Sequence, residues 1–516
     1  MRTTNIIKVG AAILALGISA TALMGSAIAQ DPPTEITMLT MGDKPTNGRL
    51  EAMLEKLNER LIQQANVKLK MFYIEWADWQ TQYNVQLLSG DDNVDLIATA
   101  TDWLYAWENA EKGAFLPLTE DMLKAHAPKT WAQVDAAGHW DLTKLSDGKI
   151  YFMPEDNYSQ YTNHGFFYRG DWAKEAGFEN GEITKFEDFT KYFEWVKANK
   201  PDAYPWDVAG SNEAALTGYI QGHTDLQPLQ GVNAGNFAPF HTSSSDPYKV
   251  TSWYMEGDAL LAAAELAKKW NQIGVWREDA LNYDGDTREE LYAGQSGVEQ
   301  HHTQTYVNDI VHNMNEKQPG SDPKFFYWGQ ENGNFYKDIF THGAMAVSAK
   351  SKNPEKALEA YDLIRNDMED YRLFNYGIEG VDYLVTADGK LGFPEGYNSS
   401  TDSLGTDYWW GRMNEFELPK TTDAPIKADF IAKLDKVAKD YPYSTLVINK
   451  SGIDSTLAAM SAVLSEYIPQ LEYGKFDDPA AAIAEMRQKL KDVGYEDARS
   501  AIQADMDAWA KERGLK

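Results

Sequence analysis

The chain has 516 residues, no cysteine, 24% charged residues and a formal charge of −30 at pH 7. So acidic a protein is excluded as a binder of nucleic acid or anionic membrane, because phosphate contacts need clustered Lys and Arg. Absence of cysteine excludes thiol catalysis, cysteine zinc sites, disulfides and a lipid-modified cysteine, while the length allows two domains with large cores.

Arg2 and Lys8 flank the start of an apolar run from Val9 to Met24, and Ala27-Ile28-Ala29 stands before Gln30. A basic start, an apolar stretch and an A-x-A site predict a signal peptide over 1–29. No later stretch is apolar for long enough to span a bilayer. The expected mature protein is exported, free of a lipid anchor and periplasmic.

Residues 35–41 alternate and are rich in β-formers, predicting the first strand. A turn-rich loop over 42–48 leads to a helix with Leu50, Met53, Leu54, Leu57 and Leu61 on one face. Strands are predicted at 67–74 and 94–98, so the order is that of a parallel sheet with flanking helices. Ligands of such sheets sit beyond the carboxyl ends of strands. That rule nominates Asp43 and Lys44 after the first strand, and Asp102 and Trp103 after the third.

A strand over 149–154 is followed by the polar, aromatic stretch 155–163, and 164–169 begins strand structure again. Amphipathic helices follow at 186–197 and 256–271, then a strand entering a loop over 297–306. Small and β-branched residues over 343–348 predict a buried strand. Asn353-Pro354 supplies a helix start, Leu358, Tyr361 and Arg365 a helical face, and Gly377 a stop. The tail after Trp409-Trp410-Gly411-Arg412-Met413-Asn414 is rich in helix formers.

Enzyme motifs are sparse. Gly294-Gln295-Ser296-Gly297 is one residue too tight for a nucleophile elbow, and no phosphate loop, dinucleotide fingerprint or H-E-x-x-H is present. Carboxylate pairs suited to glycoside hydrolysis are too numerous among 78 Asp and Glu for sequence to single one out. His301 and His302 are adjacent and so face opposite sides of an extended segment, which favours a ligand-facing His302 over a metal site. The stretch 282–286 imitates a calcium loop, but Thr287 and Ala293 stand where glycine and a bidentate glutamate are needed. No metal or cofactor is expected.

The stretch 341–383, above all SKNPEKA at 351–357 and NYGIEG at 375–380, resembles extracellular solute-binding proteins of carbohydrate ABC transporters. It is most similar to their long subgroup with an extra uncharacterised C-terminal domain. YRGDWAKEAG (168–177), ALLAAAELAKKWNQIGV (259–275) and LKDVGYEDARSAIQADMDAW (490–509) extend the likeness over nearly the whole mature chain. The resemblance implies an α/β, two-lobe type II fold, each lobe a mostly parallel sheet flanked by helices, with the ligand cleft between them. It implies crossings near 155, 338 and 377, an N-terminal lobe of 30–155 plus 338–377, and a C-terminal lobe of 156–337 plus 378–516.

By the same resemblance the protein is a monomer and not an enzyme; it captures an oligosaccharide and delivers it to the permease of an ABC importer. A peptide or other solute on the same scaffold is the alternative, and a secreted glycoside hydrolase a more remote one. Sugar recognition combines aromatic platforms with planar polar groups. Resemblance and loop position together add Asn157, Tyr158 and Tyr161 at the first crossing; His302, Gln304 and Tyr306 in the second lobe; Tyr376 at the last crossing; and Trp409, Trp410 and Asn414. Trp76, Trp79 and Trp107 are assigned to ordinary packing.

Overall fold

The computed structural model describes residues 31–516 apart from 77–78, 90–93, 146, 156–160, 162, 210–214, 284, 407–409 and 451. The signal peptide, Asn157, Tyr158 and Trp409 lie outside the described residues.

Strand β1 (Thr34–Met41) alternates at its start and is buried through its second half. In helix α1 (Arg49–Ala65), Leu50, Met53, Leu57 and Leu61 recur at helical spacing and are buried. Asn66, at φ 54°, ends the helix in the left-handed region. Strand β2 (Val67–Ile74) begins immediately and pairs parallel to β1. Helix α2 (Trp79–Ser89) leads to β3 (Leu96–Thr99), also parallel to β1, and helix α3 (Ala106–Glu111) lies beyond it. Strand β4 (Phe152–Pro154) follows.

Strand β5 (His164–Arg169) opens the second lobe. A small antiparallel sheet contains β6 (Leu226–Pro228), β7 (His241–Ser243) and β8 (Asp246–Thr251). Strands β9 (Val298–His302) and β10 (Pro323–Tyr327) flank β5. Strand β11 (Ala344–Val347) returns to the first sheet, whose order is β2-β1-β3-β11-β4. A short hairpin of β12 (Leu384–Val385) and β13 (Leu391–Gly392) comes last.

Both main sheets follow one plan. In the first, β11 runs antiparallel to both β3 and β4, which therefore run parallel to each other. In the second, β5 runs antiparallel to both β9 and β10. In the first sheet all strands but β11 thus run in one direction, as expected of a mostly parallel sheet, but among the described residues every pairing in the second is antiparallel. The predicted β-helix-β order does place β9 and β10 in the same direction, with helical turns between them. The strand arriving directly from the crossing occupies the position between, and sequence order alone does not reveal that insertion.

Two large cores result. The first gathers Ile36, Leu57, Ile97, Phe152, Met345 and Tyr361, together with Leu404, Trp410 and Met413. The second joins Phe166 and the helices Phe189–Asn199 and Ala259–Ile273 to three terminal helices, Asp454–Glu472, Pro479–Asp492 and Tyr495–Glu512. The chain leaves the first core after Met153, and after Ile339 it re-enters at Ala344. After Phe374 it returns to that core once more, well past Gly377, through Leu404, Trp410 and Met413.

Candidate functional site

The register of the first sheet decides which residues meet. Ala344 at the start of β11 lies opposite Thr99 at the end of β3 and Pro154 at the end of β4. The residues just beyond these three therefore emerge along one edge: Thr101 to Trp103, Glu155, and His342 with Gly343. The ends of β1 and β2 bring Asp43 and Trp76 to the same edge, where the Trp76 N–H donates to Asp43 Oδ1 at 3.3 Å.

These loops are bonded to one another. Thr101 N–H donates to Thr341 O at 2.9 Å, and the Trp103 indole N–H donates to His342 O at 3.0 Å. His342 Nδ1 lies 2.7 Å from Asp102 Oδ2 and 3.4 Å from Asp338 Oδ2. Burial by itself lowers the His342 pKa, but Asp102 and Asp338 outweigh it and lift the ring to about 10. Asp102, Asp338 and His342 also bring three potential metal donors together. The short Nδ1–Oδ2 contact is that of a hydrogen-bonded imidazolium and carboxylate.

Glu155 is only 4% exposed, and among the described residues neither its Oε2 nor Asp102 Oδ1 has a hydrogen-bond partner. Burial pushes the Glu155 carboxyl up to about 7, Arg412 and His342 opposing the rise. Arg412 is partly exposed and makes no hydrogen bond or ion pair with another described residue. Above this polar floor the Trp103 ring stacks on Trp76 at 6.1 Å and meets Trp79 edge-on at 5.5 Å. His139 and Phe340 make a further ring contact at 3.7 Å.

The second lobe presents a matching edge. His164, first in β5, pairs with His302, last in β9, and their rings are 4.0 Å apart. His302 is exposed as a residue, yet the surrounding protein and the charge of His342 push its pKa down to about 4. The charge of His342, on the first-lobe edge, is thus felt at His302 on the second. Gln230, another second-lobe residue, donates to Asp338 Oδ1 at 3.3 Å.

Of the residues nominated from sequence, Asp43, Asp102, Trp103 and His302 come together here. Lys44 is exposed and paired with Glu51 at 3.1 Å. Gln304 accepts from the neighbouring Thr303 hydroxyl at 2.8 Å. Tyr161 is 1% exposed, stacked on Phe335 at 4.9 Å and donating to Asp435 at 2.8 Å. Tyr306 is buried and donates to Pro323 O at 2.7 Å. Tyr376 donates to Glu417 at 2.8 Å, and Asn414 is exposed at the head of a short turn. Trp410, 1% exposed, lies inside the first core, with the Tyr361 hydroxyl bonded to its carbonyl at 3.0 Å. Glu155, Asp338, His342 and Arg412 were not singled out by sequence, and Trp76 and Trp79, assigned there to ordinary packing, lie against Trp103 at this edge. The strand-end rule applied to β2 would have found Trp76.

A family model for bacterial extracellular solute-binding proteins matches residues 47–368, more than half of the chain. The chain belongs to that family. A second match, to a domain of unknown function (DUF3502), covers residues 442–511 of this solute-binding protein. A carbohydrate ABC transporter substrate-binding protein of Streptococcus pneumoniae is 24% identical over 93% of this chain and 91% of its own length. Among solved structures, the N-glycan transport solute-binding protein NgtS of S. pneumoniae, in complex with Man1GlcNAc, has a TM-score of 0.70. It is 22% identical, over 93% of this chain and all of that one. The alginate-binding protein AlgQ2 without calcium ion has a TM-score of 0.68 at 17% identity, over 93% of this chain and 99% of its own. The solute-binding protein therefore has the two-lobe type II fold.

Proposed function

We propose that the protein captures an oligosaccharide between its lobes and delivers it unaltered to the permease of an ABC importer. The observation that carries this reading is the Trp103–Trp76 stack beside oxygens of Asp102 and Glu155 that have no partner among the described residues. An indole face receives the apolar face of a pyranose, and adjacent acceptors take its hydroxyls. Ligand touching both edges favours the closed arrangement, the crossings absorbing the rotation. The related carbohydrate-binding protein and the NgtS complex support sugar as the ligand class.

The proposed lobes are 30–155 plus 338–377, with 404–413 added, and the remainder of the mature chain including the terminal helices. The basic, apolar and A-x-A pattern of residues 1–29 supports export, and the lack of cysteine supports a periplasmic protein without a lipid anchor. Among the described residues no helix is long and apolar enough to cross a membrane.

Thermal melting against an oligosaccharide panel, followed by calorimetric titration, tests the reading, since a ligand that binds only the native state raises the melting temperature. A peptide that stabilises the protein where every oligosaccharide fails would refute it. Release of reducing ends from a bound oligosaccharide would instead make it a hydrolase.

A further inference from the structure

We infer that the site takes an uncharged, polyhydroxylated saccharide and rejects uronate oligomers. This rests on the oligosaccharide reading above and adds the charge class of the ligand.

Two kinds of hydrogen-bonding capacity are left open at the sheet edge. Asp102 Oδ1 and the deeply buried Glu155 Oε2 are acceptors without partners among the described residues. The Arg412 guanidinium is a donor fork without a hydrogen bond to any described residue, and among charged groups it does most to hold the Glu155 pKa down. A sugar hydroxyl is both donor and acceptor. Neighbouring hydroxyls on one ring can donate to the carboxylate oxygens while a third accepts from Arg412, and both carboxylate oxygens and the guanidinium are then satisfied.

A carboxylate on the ligand cannot do this. Asp102, Glu155 and Asp338 converge on the site, while the nearby cations are His342 and Arg412. His342 is already engaged, at 2.7 Å from Asp102 and 3.4 Å from Asp338. A uronate brought to Arg412 would compete with Glu155 for a cation that has no ion pair among the described residues, and leave carboxylate oxygens facing each other in a poorly hydrated place. The net acidity of the whole chain adds to that repulsion at long range.

Calorimetric titration of the mature protein with two panels of matched length tests this. One panel is neutral (manno-, gluco- and fructo-oligosaccharides) and the other anionic (alginate and oligogalacturonate fragments). The expected result is a neutral ligand that binds at least tenfold more tightly than every anionic one. Its affinity should change less than about twofold when salt rises from 50 to 500 mM, because no ligand charge is screened. Anionic fragments binding as tightly as neutral ones would overturn the inference and leave the oligosaccharide reading standing. Binding by neither panel would overturn both. The double variant Asp102→Asn, Glu155→Gln supplies the second measurement. It is expected to narrow the neutral-to-anionic ratio at least tenfold. An unchanged ratio in a variant that melts normally would refute the charge argument.

Discussion

Lys450, within the terminal domain of unknown function, forms an ion pair with Glu108 of helix α3 in the first lobe. Their side chains are only 10% and 13% exposed. The segment carrying Lys450 bridges the lobes, Val447 packing on the first core and Leu446 on the second. It is tied to the last helix by the Trp509 indole on Thr445 at 3.1 Å and Asn449 N–H on Asp505 at 2.9 Å. The terminal domain is thus part of the scaffold that sets how the lobes meet. Breaking a pair this buried leaves one charge uncompensated, so Glu108→Gln should cost roughly 3 kcal/mol. The combination Glu108→Leu, Lys450→Met should recover most of that. Urea denaturation of the single and double variants measures the coupling, and additive losses would show that the pair does not hold the lobes.

The acid and base at the cleft predict two separate pH windows. The folded pKa of His342, about 10, lies above its usual 6.5. Its contribution to stability is therefore complete below pH 6.5 and lost as pH rises through 10. The Glu155 carboxyl is also raised, from 4.5 to about 7. The fold favours its protonated form, and that contribution disappears between pH 4.5 and 7. Besides each other, the charged groups acting on these two are Asp102, Asp338 and Arg412. Melting temperatures of His342→Gln should fall less than those of the unaltered protein between pH 7 and 10. Those of Glu155→Gln should be flatter between pH 4.5 and 7. Parallel curves for variant and parent would remove either residue from the account.

The helix faces and the first-lobe strand order are legible in the sequence because periodicity is local. The cleft is less so. Asp102 and His342 are 240 residues apart, and only the placement of β11 between β3 and β4 brings them into contact. Trp410 misleads for a related reason: its polar neighbours in sequence are not its neighbours in space, where Tyr361 and the first core surround it. Abundant tryptophan is itself ambiguous. Trp206 and Trp270 are fully buried in the second core, whereas Trp76 is 36% exposed at the cleft.

Gln503 on the last helix acts as an extra rung for the edge strand β8. Its Oε1 accepts from Val250 N–H and its Nε2 donates to Tyr248 O, each at 2.8 Å. Val250 is fully buried, so Gln503→Ala leaves its amide unsatisfied, at a cost of about 1–3 kcal/mol. Hydrogen exchange at the Val250 amide should accelerate while ligand affinity is unchanged. An unaltered exchange rate would mean that water or another group takes over the contact.

The tryptophans provide the sharpest contrast between binding and folding. Trp103 and Trp76 form a partly exposed stack at the ligand edge, and truncating either removes platform area without opening a core. For Trp76→Ala the loss of affinity should be roughly 1–3 kcal/mol, or about tenfold to a hundredfold, with little change in melting temperature. Trp103→Ala should lose as much affinity and some stability as well, because its indole N–H holds the His342 carbonyl at the crossing. Trp410→Ala should do the reverse. With the ring 1% exposed, its removal leaves a cavity costing about 3–5 kcal/mol of stability. Affinity measured below its lowered melting temperature should stay near that of the parent, because the ring faces the core and not the cleft. Calorimetric titration and thermal melting of all three variants separate the roles. If Trp410→Ala lost affinity while melting normally, Trp410 would belong to the ligand platform and the assignment to the Trp76–Trp103 edge would fail.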